Sequence, residues 1–259
     1  MIKLKSLKPR DVDVATECNG VSADEATRKV YAAGPGKKFV CVDGKSWKVL
    51  SSLDLSGPGD GVQIDSKHQV AYVAEDGGTN LWVIDLKTMK LDSTIKVHEA
   101  PEYLEIDVDR ERVYQPSKTT STVQVISTAT KKVISEWKLG ELKGPHGMGL
   151  DRETQTAMLV GSNGKLTILN SATGSILSQM DVVAKSDQIA YDSKLKRLYI
   201  PAQGSLQVVQ IAEGKGKLIG TLEIDKDCKR VSVDPETSDV WIAFSNPKGS
   251  FAQRFKATK

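Results

Sequence analysis

The sequence predicts an all-β protein, a six-bladed β-propeller forming one domain over residues 1–259, and three observations carry that expectation. Six aspartates, Asp24, Asp65, Asp107, Asp151, Asp192 and Asp234, follow one another at intervals of 41, 42, 44, 41 and 42 residues. Seven residues after each stands a large side chain, in order Tyr31, Tyr72, Tyr114, Met158, Tyr199 and Trp241, so the register holds at two positions at once. Within each period apolar residues alternate with polar ones, as strands require. A period just above 40 is about what four short strands and their turns consume, which is one propeller blade.

Each repeat divides in the same order. In the second, GVQID (61–65) reads as the inner strand, QVAYVA (69–74) as the second, LWVID (81–85) as the third and LDSTIKV (91–97) as the fourth. Turn residues separate them, for example Asp76-Gly77-Gly78, Ser162-Asn163-Gly164 and Asn246-Pro247, because Gly and Asn accept positive φ and Pro ends pairing. The periodic aspartates end the inner strands, where a carboxylate can accept N–H bonds from the turn that follows, so they read as scaffold. The sixth repeat holds RVSVD (230–234), DVWIAF (239–244) and FAQRFKAT (251–258) and then the sequence stops, one strand short. Residues 2–14 have no blade of their own and are expected to supply that strand, closing the ring and removing exposed sheet edges.

Composition excludes several classes. The 36 basic and 33 acidic residues are interspersed, with a net charge of +3, and give no basic run of the kind that marks a nucleic-acid partner. No stretch approaches the roughly 18 to 20 apolar residues of a membrane span, and the opening MIKLKSLKPRDVDV lacks the apolar core of a signal peptide. The chain reads as soluble, with a secreted or periplasmic mature form left open. Cys18, Cys41 and Cys228 are too few for a disulfide framework; Cys41 reads as core, and Cys18 and Cys228 as unpaired buried thiols. His68, in the turn after an inner strand, reads as a surface residue.

The positions five residues before the periodic aspartates hold Asn19, Asp60, Glu102, His146, Asp187 and Lys229. All six are polar or ionisable, and propeller geometry would bring all of them to one mouth of the central channel. Carboxylates, an amide and an imidazole gathered there repel one another unless a cation sits among them. A divalent metal ion held by Asn19, Asp60, Glu102 and His146 is therefore expected, Ca²⁺ first, with Mn²⁺, Zn²⁺ or Fe²⁺ as the alternatives that His146, and His98 near Glu102, would favour. The competing reading is a hydrated channel closed by ion pairs, with Lys229 neutralising Asp187. No GxSxG, phosphate loop, HExxH or Rossmann fingerprint is present, so any chemistry has to come from these six positions.

Units such as VAYVAEDGGTNLWVIDLKTMKLDSTIKV and RVYQPSKTTSTVQVISTATKKVISEWKL resemble the YVTN-type propeller repeat over nearly the whole chain. That resemblance implies the fold, and is compatible with binding modules, interaction platforms and enzymes alike. Asn19-Gly20-Val21 with Asp24, and Asp60-Gly61-Val62 with Asp65, are similar to short motifs of the six-bladed gluconolactonase, regucalcin and paraoxonase group. This second likeness implies a divalent cation at the channel mouth held by Glu, Asn and Asp. The sequence departs from that group in the placement of Glu102, in Lys229 and in His146.

Two functions follow as expectations. In one, the metal polarises a carbonyl or activates water in a small lactone or ester, Lys229 stabilises an oxyanion, and Asp187 or His146 moves protons. In the other, a non-catalytic propeller binds a small ligand or a protein partner on the loop face that carries Glu75, Asp76, Ser117, Lys118, Ser162, Asn163 and Gln203. The oligomeric state is not readable from the sequence.

Overall fold

A computed structural model describes residues 12–257, and within them every regular element is a β-strand. The strands fall into six antiparallel sheets arranged as a six-bladed β-propeller. The first sheet is β1 (Gly20–Asp24), β2 (Lys29–Ala33), β3 (Lys38–Asp43) and β4 (Val49–Asp54), and the second is β5 (Gly59–Asp65), β6 (Val70–Glu75), β7 (Asn80–Asp85) and β8 (Lys90–Lys96). The third is β9 (Glu105–Asp107), β10 (Arg112–Ser117), β11 (Thr122–Ser127) and β12 (Lys132–Lys138). The fourth is β13 (Pro145–Asp151), β14 (Thr156–Gly161), β15 (Lys165–Asn170) and β16 (Ile176–Asp181). The fifth is β17 (Ala190–Asp192), β18 (Arg197–Ala202), β19 (Ser205–Ala212) and β20 (Lys215–Glu223). The sixth holds three strands among the described residues, β21 (Arg230–Val233), β22 (Val240–Asn246) and β23 (Gly249–Phe255). The strand expected to complete it falls on residues 2–14, of which 2–11 lie outside the described residues; 12–14 carry no strand.

Contacts gather into two compact units, one made of residues up to 115 with 126–134, the other of 116–125 with the residues from 135 on. In the first unit Tyr31, Phe39, Val73, Trp82 and Ile84 form one apolar layer, with Tyr31 and Phe39 stacked at 5.5 Å. A second layer joins Tyr72, Leu81, Val83, Ile95, Leu104, Ile106 and Val113. The second unit repeats the device with Met158, Ile168, Leu198 and Ile200 in one layer and Tyr199, Leu206, Val231 and Ile242 in another. Each fully buried Leu, Ile or Val contributes on the order of 1.5–3 kcal/mol relative to exposure, so these layers hold successive sheets together. The register residues Tyr31, Tyr72, Tyr114, Met158 and Tyr199 are all buried, as their periodicity predicts.

The aspartate positions explain the turns. Asp24 Oδ1 accepts the Ala26 N–H at 3.1 Å, Asp151 Oδ1 accepts the Glu153 N–H at 3.1 Å, and Asp192 and Asp234 repeat the pattern. The residue four after each aspartate, Arg28, Gln69, Glu111, Gln155, Lys196 and Ser238, has φ between 53° and 60°, although none is glycine. The carboxylate thus holds a tight turn whose fourth residue sits in the left-handed region, a local arrangement repeated in every sheet. Two of the aspartates also reach the next sheet: Gln69 Nε2 donates to Asp24 Oδ2 at 3.0 Å, and Tyr191 Oη and Lys196 Nζ donate to Asp151 Oδ2 at 2.7 and 3.0 Å.

The candidate site at the inner-strand starts

The six polar positions do not all sit in loops. Asp60 lies inside β5, where the register with β6 shifts between Gly59 and Val62, and His146 lies inside β13, where the register with β14 shifts between Pro145 and Gly147. An extra residue in one strand re-aims its side chain, so these two bulges set where the carboxylate and imidazole point. Asn19 immediately precedes β1, Glu102 and Asp187 lie in the segments before β9 and β17, and Lys229 immediately precedes β21.

In the first unit, backbone approach dominates. A Cβ on Gly20 would fall 1.9 Å from the Asp60 carbonyl oxygen, and one on Gly61 would lie 3.2 Å from Tyr103 Cα. The Tyr103 hydroxyl donates to the Asn19 carbonyl at 3.4 Å, and Gln115 Nε2 donates to the Glu102 carbonyl at 2.9 Å. Glu102 is buried, while Asn19 and Asp60 are half-buried. Glycine one residue after the polar position therefore serves close packing of neighbouring inner strands. Gly147 in the second unit does the same, since a Cβ there would fall 2.8 Å from the Ile189 nitrogen and 3.0 Å from the Asp187 carbonyl.

The second unit brings side chains together. Asp187 Oδ2 accepts from Arg230 Nη1, and Asp187 Oδ1 lies 3.8 Å from His146 Nδ1. The latter distance is an ion-pair approach rather than a hydrogen bond. All three side chains keep partial exposure: Arg230 38%, Asp187 28% and His146 17%. The cation at Asp187 is Arg230, the residue after Lys229, and Lys229 itself is exposed. Sequence reasoning passed over Arg230 because it lies one place off the register; the signal available was a second basic residue directly beside it.

Among the described residues no group of three or more His, Cys, Asp or Glu side chains is arranged to hold a metal ion. A guanidinium bound to Asp187 also opposes a second cation at that carboxylate. The described residues thus offer the expected divalent ion no group of three such ligands. The loop positions are largely engaged internally as well. Glu75 accepts from the Thr79 and Asn80 N–H groups at 3.0 and 3.1 Å, the Asn163 side chain spans Lys143 and Glu141, and Gln203 Nε2 donates to the Ala184 carbonyl at 2.9 Å.

The three cysteines are free thiols; Cys41 and Cys228 are buried, and Cys18 is exposed rather than buried as expected. Burial pushes both buried thiols above the ordinary range. No helix among the described residues is long and apolar enough to cross a membrane.

Neither family models nor curated proteins match this sequence. Among solved structures, one described as Kuenenia stuttgartiensis Hydrazine Synthase is similar, with a TM-score of 0.75 and 14% identity over 93% of this chain and 79% of that chain. At that identity the likeness is one of fold, and it supports the propeller architecture.

Proposed function

We propose that the chain is a non-catalytic, ligand-binding propeller, and that His146, Asp187 and Arg230 form its contact point for a small polar molecule. The observation that carries this reading is their convergence: three partly exposed side chains from three successive inner-strand starts meet around one carboxylate. Such a cluster suits a ligand with an acidic group and a nearby hydroxyl. The acid takes the planar guanidinium fork, and the hydroxyl donates to Asp187. Arg230, rather than a metal ion, then supplies the positive charge. The expected metal-dependent lactone or ester hydrolysis is supported less, because among the described residues no group of three or more His, Cys, Asp or Glu side chains accompanies the cluster.

Calorimetric titration with glycolate and lactate tests the binding reading. Saturable binding that falls roughly ten- to a hundredfold in Arg230→Ala is expected, the range for losing a charge-assisted hydrogen bond. Elemental analysis and a lactone and ester panel test the other. A stoichiometric metal that disappears in both Asp60→Ala and Glu102→Ala, together with turnover, would replace the binding reading with the hydrolase.

A further inference from the structure

A cavity of about 140 Å³ opens at the aspartate end of the second and third sheets, lined by Asp65, His68, Val70, Tyr72, Val83, Glu111, Thr128, Ala129 and Lys131. It lies within the first unit. Its volume is close to that of an engineered apolar cavity, about 150 Å³, that admits benzene.

Two polar features distinguish it from a gap between sheets. Tyr72 is 2% exposed and lines the cavity, bringing a phenol side chain to its wall. A phenol hydroxyl can both donate and accept, so it can meet a polar group that enters the cavity. The second feature is His68, whose backbone N–H and Nδ1 both bond the carboxylate of Asp65, at 3.0 and 2.7 Å. Asp65 is itself 2% exposed. A carboxylate only accepts, so it places the ring proton on Nδ1 and leaves Nε2 of the neutral imidazole as an acceptor. His68 is thus a surface residue, as its turn location suggests, whose ring is held in place by Asp65.

We propose that this cavity is a binding site for a small neutral ligand with an apolar, ring-sized body and one hydroxyl or N–H group, which donates to His68 Nε2 and meets the Tyr72 hydroxyl. Val70, Val83 and the ring of Tyr72 supply the apolar wall. The charges select against anions: Asp65 and Glu111 line the cavity, and the one cation, Lys131, is already paired with Asp92. Burial, with the nearby charges of Asp65 and Asp92, pushes the Tyr72 hydroxyl up to about 12, so it stays protonated and available to hydrogen-bond.

The test is a titration of the full chain with phenol, followed by calorimetry and by amide and side-chain chemical shifts, with benzoate as the charged counterpart. Saturable phenol binding is expected, with the shifts centred on His68, Tyr72 and Thr128 and with benzoate at least tenfold weaker. Tyr72→Phe keeps the ring and removes only the hydroxyl, and His68→Ala changes a half-exposed turn residue; each should weaken phenol by roughly three- to tenfold. Absence of saturable binding, shifts centred elsewhere, or phenol affinity unchanged in both variants would overturn the proposal.

Discussion

At the scale of single residues, the glycines beside the polar positions are the sharpest test of how the inner strands meet. A Gly20→Ala substitution puts a methyl group 1.9 Å from the Asp60 carbonyl oxygen, where backbone rather than a movable side chain must yield. Overpacking of this kind costs about 1–3 kcal/mol, so the denaturation midpoint should fall clearly. Gly220, in the exposed β20, has nothing within 4 Å of its would-be Cβ, and Gly220→Ala should be neutral or stabilise by up to about 1 kcal/mol through the chain entropy that glycine loses on folding. Equal loss in both variants, measured by urea unfolding, would mean that the close approach at Gly20 is not what fixes that position. The spacing of Asn19, Asp60 and His146 was visible in the sequence, and so was the glycine after each. Their side-chain directions were not, because a bulge is a mismatch between two strands and leaves no mark in either strand alone. The same limit hid Arg230: a partner for Asp187 one place off the register is chosen by tertiary geometry, which periodicity does not encode.

At the scale of the element, the repeat was almost fully legible because two requirements coincide in it. The aspartate turn fixes where β1, β5, β13 and β21 end or are followed by a turn, and the large residue seven places on fixes which face of the second strand is buried. A slip of one residue would turn every one of those side chains to the opposite face, so register and core specify each other. A further beat, Asp43, Asp85, Ser127 and Asn170, ends the third strands, and each bonds N–H groups of its own turn. It was harder to read because three residue types share one role. The sixth sheet is where this logic makes a demand on the chain's start, since three strands leave an unpaired edge among the described residues. Deleting residues 1–10 should lower the melting temperature by at least about 5 °C, given about 2–4 °C per kcal/mol at this size. A truncated chain that melts with the full one would show that those residues do not complete the sheet.

At the scale of the whole molecule, the repeated carboxylate turns make stability depend on acid in a direction that can be worked out. For Asp24, Asp151 and Asp234 burial acts to raise the carboxyl, but hydrogen bonds outweigh it and hold each below its ordinary value: Ser66, Gln69 and Thr27 at Asp24, Tyr191, Lys196 and Thr154 at Asp151, Thr237 and Glu236 at Asp234. Asp43, Asp85, Asp92 and Asp225 are lowered too. A carboxyl that is lower in the folded chain releases its proton more readily there, so its stabilisation is complete above the unfolded value, about 3.9, and is lost as pH falls through the lower folded values. Because these seven carboxyls are all lowered, their losses fall in the same window and add. The melting temperature should therefore change little on account of these groups between about pH 7 and 5, then drop steeply between about pH 4 and 2. Asp151→Asn separates the turn carboxylates from general acid effects. It removes the charge that Tyr191 and Lys196 share, should lower stability at pH 7 by about 2 kcal/mol, and should make the acid limb shallower. A variant as stable as the parent at neutral pH, with the same acid limb, would place the acid sensitivity outside the repeated turns.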